Sequence, residues 1–211
     1  MLIPFSNCRD TMLFYGKIPR GILHIGAHEC EELEAYENEG IERSKVYWVD
    51  AIQEKVDEMV AKGIPNVVCA ALDNEEKEVE FHITNNGQSS SLLPLGTHRS
   101  HYPHIYVSEN RKVMTQTGRN YIEKNQVPIQ ECNFWNLDIH GKELDVLKSM
   151  GEYINYADAI YTEVNTAQVY QGCSELSEVD LFLQGHGLSR VQISMTGASW
   201  GDALYIRENY F

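Results

Sequence analysis

Short apolar, β-rich runs alternate with amphipathic stretches of helical spacing through most of this chain. "GILHIG" (21–26) reads as a strand closing on glycine. "ECEELEAYENEGI" then spaces Leu33, Tyr36 and Ile41 as a helix, with glutamates in its first turns. "KVYWVDA" (45–51) reads as a second strand, and "IQEKVDEMVAKG" sets Ile52, Val56, Met59 and Val60 on a helical face that stops at Gly63. "NVVCAALD" (66–73) is a third buried strand, and "KEVEFHI" (77–83) alternates like a half-exposed one, which predicts an antiparallel excursion after strand three. "KVMTQTG" and "RNYIEKN" read as a short strand and a helix. "CNFWNLDIHG" runs apolar into Asp138, "KELDVLKSMGEYI" is helical, and "ADAIYTEVN" is a strand with Glu163 near its end. "ELSEVDLFLQGHG" is a helix stopped by Gly185 or Gly187, and "RVQISM" with "DALYIREN" forms a hairpin. This order predicts an α/β fold: a mostly parallel sheet, helices on both faces, right-handed crossovers and a C-terminal antiparallel hairpin.

A chain of 211 residues, 43% hydrophobic, suits one domain over 1–211. Residues 1–20, broken by Pro4, Asn7, Arg9 and Asp10, read as an N-terminal extension. Residues 84–110 are polar, turn-rich and hold His98, His101 and His104, so they read as a loop facing the active site. A net charge of −14 disfavours a grip on a nucleic-acid backbone. No apolar run approaches the roughly 20 residues of a membrane span, and no signal-peptide core forms, so a cytoplasmic protein is expected. The five cysteines are dispersed, without a CxxC pair, which argues against a disulfide framework or a zinc knuckle.

In a doubly wound sheet, ligands bind beyond the carboxyl ends of the strands, where strand order reverses. The polar residues expected there are Gly26 and His28, Asp50, Asp73, Asp138 and His140, and Glu163 with Asn165. Asp50 follows Gly26 by 24 residues, near the spacing of an acid that accepts from a ribose diol; on spacing alone a solvated aspartate is equally acceptable. Asp138 and Glu163 end strands expected to be neighbours, so their carboxylates could share a metal or take a proton. The plainer alternative is that Asp138 caps the next helix and Glu163 pairs with a lysine.

Six segments in order, "LHIGAHECEE", "VYWVDA", "NNGQSSSL", "LDIHGKELDVLK", "IYTEVNTAQVYQGC" and "WGDALYIRE", resemble the signature segments of the FkbM family of S-adenosylmethionine-dependent methyltransferases. The resemblance runs from about residue 20 to the end of the chain. It implies a Rossmann-like methyltransferase fold and methyl transfer to a hydroxyl, most often of a sugar, glycan or polyketide. On this resemblance the turn from Gly26 through Ala27 and His28 to Cys30, with Glu31 beside it, wraps the methionine part of the cofactor. Asp50 and Ala51 hold the ribose. Ala71 and Leu72, next to Asp73, flank the adenine, and Ser89, Ser90 and Ser91 line the same cleft. Gly26 is expected to be glycine because backbone must approach the ligand there, and to be singular in refusing a side chain. Where many members carry Asp, Asn and Gly along this first turn, the chain has His24, His28 and Cys30; His24 reads as a strand residue.

Transfer from a sulfonium requires an aligned acceptor oxygen that can lose its proton. Asp138 and Glu163, with Asn165 nearby, are expected either to bind a divalent ion, magnesium suiting oxygen ligands better than zinc, or to supply the base directly. His140 is the competing base, against the alternative of a capping histidine. Trp48 and Trp135 read as core, whereas Tyr102, Tyr106 and Trp200 lie where an aromatic face could stack on a sugar. The three loop histidines read as acceptor-site lining or exposed rather than metal-binding, Pro103 arguing for extended loop. Two other classes share the pattern: a dinucleotide-dependent oxidoreductase, disfavoured by the missing GxGxxG, and a catalytically inactive interaction domain. Sequence leaves oligomeric state open.

Overall fold

Residues 1–208 are described by a computed structural model. In chain order the elements are α1 (Phe5–Phe14), β1 (Ile22–Ile25), α2 (Leu33–Asn38), β2 (Val46–Asp50), α3 (Gln53–Ala61), β3 (Val67–Cys69), β4 (Ala71–Asp73) and β5 (Glu78–Thr84). Then come α4 (His98–His101), β6 (Val107–Thr117), α5 (Gly118–Lys124), β7 (Phe134–Leu137), α6 (Glu143–Ser149), β8 (Ala159–Asn165), α7 (Leu176–Gly185), β9 (Leu188–Met195) and β10 (Trp200–Arg207).

Seven strands form one sheet in the order β3-β2-β1-β7-β8-β10-β9. Its pairs from β3 to β8 are parallel, and β10 runs antiparallel to both β8 and β9. The expected parallel sheet with a terminal hairpin is therefore the fold. Asn209, the last residue of the expected final strand, lies outside the described residues.

Alternation along the strands supplies two apolar faces. Leu23, Ile25, Trp135 and Leu137 pack with Tyr121, Leu144, Leu147 and Leu183 of α5, α6 and α7. Ile22, Trp48 and Phe134 pack on the other face with Phe5, Met12, Tyr36 and Met59 of α1, α2 and α3.

Four expectations change. The N-terminal extension holds a helix, α1, which starts directly after Pro4 and buries Phe5, Cys8 and Met12. Exposed Leu13 and Phe14 obscure that stripe in the sequence. The third strand is two: Val67–Cys69 pairs with β2, and after Ala70 the chain leaves to pair Ala71–Asp73 with β6 in a separate three-stranded sheet. The loop expected at 84–110 is shorter, because Thr84 still belongs to β5 and residues 107–110 already pair with it in β6. Pro103 does not keep the loop extended: α4 forms just before it, since proline constrains mainly the residue preceding it, here Tyr102 at φ −128°.

Candidate active site

Strand order reverses between β1 and β7, and a cavity of about 480 Å³ opens beyond their carboxyl ends. The β1–α2 turn forms one wall. It takes left-handed backbone at Gly26 (φ 91°), His28 (φ 42°) and Cys30 (φ 54°), so the missing later glycines do not change its course. A Cβ on Gly26 would overlap the Asp138 carbonyl oxygen and lie 2.7 Å from its carbon. Gly26 is therefore required by the approach of β7, a reason separate from the expected closeness to ligand. Nor is it singular, since a Cβ on Gly96 or Gly201 would overlap the carbonyl oxygen of Gln168 or Ser194. His28 Nδ1 lies 2.7 Å from Glu31 Oε1, while its Nε2 is buried without a hydrogen-bond partner in the cavity wall. Burial opposes the Glu31 charge, but hydrogen bonds from His28 and from backbone N–H groups outweigh it and hold the carboxyl down at about 2. Ala27 and Cys30 turn into the core and do not line the cavity among the described residues. His24 is a buried strand residue on the cavity wall, beside the Tyr36 hydroxyl at 3.1 Å.

Asp50 closes β2 at the cavity. Its Oδ2 accepts from His28 N–H (2.7 Å) and its Oδ1 from Ile52 N–H (2.8 Å). A carboxylate offers about four lone-pair sites, so acceptor capacity remains for a diol. Burial pushes its proton affinity up, against those two bonds. Ala51, Ala70, Ala71 and Leu72 give an apolar slot, and Ser89 and Ser90 face it. Asp73 is set apart: it is buried and paired with Lys142 at 2.7 Å. Ser91 also lies off the cavity, its Oγ donating to the His140 carbonyl.

Asp138, directly after β7, and Glu163, in the adjacent β8, both face the cavity, and His140 joins them. One ligand atom of each lies within 4.8 Å of the others. Asn165 is placed differently from Glu163. It is buried off the cavity wall and donates Nδ2 to Glu163 Oε1 at 3.3 Å. Burial drives the Glu163 carboxyl well above the usual range, more than His140 lowers it. Burial also opposes a charge on His140, but Glu163 and Asp138 outweigh it and raise the imidazole to about 10. Asp138 is held low by His140 against its own burial. Asp138 does not cap α6, which has no side-chain cap; Glu143, its first residue, instead accepts from the N–H groups of Ile139 (2.9 Å) and Gly141 (2.9 Å) in the preceding turn. Glu143 thereby fixes the turn that presents His140 at φ 64°. Its place in the "DIHGKELDVLK" segment was visible in sequence; its part in holding the turn was not.

The opposite wall is aromatic. Of the loop histidines, His98 is buried on the cavity with Nδ1 unpartnered, whereas His101 and His104 are exposed. Trp200 Nε1 donates to the Tyr102 hydroxyl at 3.1 Å, and both residues line the cavity. Tyr106 is 60% exposed and is not on the wall. Tyr170, part of the "IYTEVNTAQVYQGC" segment but given no role from sequence, packs between His98 and His140 at ring-centre distances of 5.6 and 5.4 Å.

Residues 24–189, well over half of the chain, match the methyltransferase FkbM domain. The chain belongs to the FkbM methyltransferase family. Among solved structures this FkbM methyltransferase is similar to an S-adenosylmethionine-dependent methyltransferase from Aquifex aeolicus (14% identity, TM-score 0.43, 95% of this chain and 89% of that one). It is similar also to magnesium protoporphyrin IX methyltransferase from Synechocystis PCC 6803 with bound cofactor (10%, TM-score 0.47, 96% and 77%). A third is 1,6-didemethyltoxoflavin-N1-methyltransferase from Burkholderia thailandensis (9%, TM-score 0.48, 99% and 78%). No curated protein matches it in sequence. The chain is an S-adenosylmethionine-dependent methyltransferase, and the cavity suits that cationic cofactor. Glu31, Glu32, Asp50, Asp138 and Glu163 face the cavity, and the one lysine on its wall among the described residues, Lys142, is held by Asp73 and Asp145. Among the described residues no helix is long and apolar enough to cross a membrane.

Proposed function

We propose that this methyltransferase transfers a methyl group to a hydroxyl of a neutral sugar or glycan. The observation carrying the proposal is the meeting of Asp138, His140 and Glu163 at the junction between the Asp50 half of the cavity and its aromatic half. Gly26, His28 and Glu31 shape the end that receives the methionine portion of the cofactor, with Ala27 and Cys30 supporting the turn from the core. Asp50 accepts from the ribose hydroxyls, with Ala51 beside it. Ala71 and Leu72 cover the adenine, and Ser89 offers its hydroxyl toward it, while Ser90, its own hydroxyl donated to the Gly87 carbonyl, holds the loop against the cleft.

S-Adenosylmethionine supplies an electrophilic methyl on a sulfonium, and an acceptor oxygen displaces the thioether in line. The residues of this chain align that oxygen and take its proton. Asp138 and Glu163 set negative charge beside the sulfonium position. The proton of the hydroxyl passes to the Asp138–His140–Glu163 group as the O–CH3 bond forms, leaving methyl ether and neutral thioether.

The acceptor wall supports the substrate class. Tyr102, Tyr170 and Trp200 give flat faces for a sugar ring, and His98 offers one unpartnered nitrogen to a hydroxyl. The acidic wall opposes phosphate or carboxylate groups, and Lys142 is already engaged. The test is incubation of the purified protein with S-adenosylmethionine and a panel of neutral glycosides, sugar phosphates and uronic acids, read by mass for one added methyl. Methyl ethers on neutral glycosides are expected. Products confined to the anionic acceptors, or methyl on nitrogen or carboxylate, would refute the assignment.

A further inference from the structure

The geometry points to a site for one divalent first-row transition ion at Asp138, His140 and Glu163, selected over magnesium. It rests on the reading of this cavity as the place of methyl transfer, but its test does not depend on catalysis.

Three donors from two adjacent strand ends lie within 4.8 Å of one another. Asp138 Oδ1 and His140 Nδ1 form an ion pair at 3.1 Å, and neither atom has any other hydrogen-bond partner. That separation also suits two ligands of one ion, each at about 2.0–2.2 Å. Outer contacts orient the same donors, as metal sites require. Asn165, 1% exposed, donates Nδ2 to Glu163 Oε1 and leaves its own Oδ1 unpartnered. Ser91 Oγ donates to the His140 carbonyl at 2.8 Å, and Glu143 holds the flanking N–H groups.

The donor set decides the metal. Two carboxylates and an asparagine amide would suit magnesium, as expected from sequence. The structure puts an imidazole nitrogen in the amide's place, and imidazole suits zinc, iron, nickel or copper, whereas magnesium takes oxygen ligands. Three protein ligands leave further coordination positions open toward the cavity.

Metal-free protein should be titrated with Co2+ and followed by its visible d–d absorbance, with Mg2+ as competitor and S-adenosylmethionine binding measured by calorimetry on every sample. One Co2+ per chain is expected, not displaced by an equal concentration of Mg2+. His140→Ala and Asp138→Asn should each weaken it by at least about tenfold, while the His101→Ala/His104→Ala double variant binds as wild type. Absence of a stoichiometric ion, displacement by equal Mg2+, or unchanged binding in both site variants that still bind S-adenosylmethionine overturns the proposal. Cobalt binding without cofactor binding would instead leave the metal site standing and remove the methyltransferase reading of the cavity.

Discussion

Replacing Gly26 with alanine tests the account of the β1–α2 turn at its narrowest point. The new Cβ would overlap the Asp138 carbonyl oxygen and approach Ile139 Cγ2 to 3.2 Å. Neither backbone can yield cheaply. Gly26 and Ala27 N–H both donate to the Val49 carbonyl (2.8 and 2.9 Å), and Asp138 N–H donates to that of Ile25 (2.9 Å). Holding a non-glycine residue at φ 91° costs about 1–3 kcal/mol, and forcing a methyl into a packed site costs about 1–3 kcal/mol more. The sum, about 2–6 kcal/mol, is a large share of a total stability of about 5–15 kcal/mol. It corresponds to a fall in Tm of roughly 4–24 °C for a chain of this size. Gly40→Ala separates the two contributions, because Gly40 has φ 86° with nothing within 4 Å of the added carbon. Urea unfolding of both variants, with calorimetric titration of S-adenosylmethionine, should show Gly26→Ala losing markedly more stability than Gly40→Ala. Gly26→Ala alone should also lose cofactor affinity, because the clash displaces Asp138. Equal losses in the two variants, with wild-type cofactor affinity, would refute the steric argument.

Asp50→Asn should weaken S-adenosylmethionine binding by at least about tenfold in calorimetry, since an amide halves the acceptor capacity left after the His28 and Ile52 bonds; unchanged affinity would remove the ribose assignment. Glu143→Gln should lower kcat with little change in cofactor affinity, because it loosens the turn carrying His140 without touching the Asp50 half; the reverse pattern in steady-state kinetics would refute that division. His98 is held down at about 4, chiefly by burial. It folds neutral and gains a proton on unfolding below its ordinary value of about 6.5, so it adds to acid lability as pH falls from about 6.5 to 4 and contributes nothing above that window. The contribution is about 1–3 kcal/mol, and denaturation midpoints across that range should fall less steeply in His98→Gln than in wild type. Tyr161→Phe leaves the buried Asp202 carboxylate and the Ile3 N–H without that hydroxyl; it should cost about 1–3 kcal/mol in urea unfolding, and a neutral result would show that this hydroxyl does not hold the N-terminal segment.

Sequence carried the architecture wherever burial imposed a period. Leu23, Ile25, Trp135 and Leu137 are apolar because helices cover that face, and such runs are visible without any partner being known. Strand β3 was harder: "NVVCAALD" is apolar throughout, and nothing local tells Cys69 that its partner is β2 or Ala71 that its partner is β6. The same limit governed the site. Asp50, Asp138 and Glu163 were legible because strand ends in this architecture face one crevice. His98 and Tyr170 come from loops 85–106 and 166–175, and their meeting is set by contacts such as Gly96 N–H donating to the Val169 carbonyl, which leave no periodic trace. Asn165 and His140 show the finer limit. Both sit two residues beyond an acid, yet Asn165 lies within a paired strand and points off the cavity wall, while His140 leaves its strand in left-handed backbone and turns inward.

The electrostatics of the cavity follow from that crowding. Asp138, His140 and Glu163 cannot all hold their ordinary charges so close together on a partly buried wall. Glu163 responds with a raised proton affinity and His140 with a retained proton. The ligand-free cluster thus offsets its own repulsion by binding protons. A cation placed among these groups, whether a sulfonium or a metal ion, does the same work and competes with those protons. Cation binding is therefore coupled to proton release and strengthens with rising pH until the cluster has lost the protons the cation displaces. The same coupling fits an acidic wall to the neutral acceptor proposed above: the carboxylates serve the charged partner, and such an acceptor needs from them only a destination for one proton.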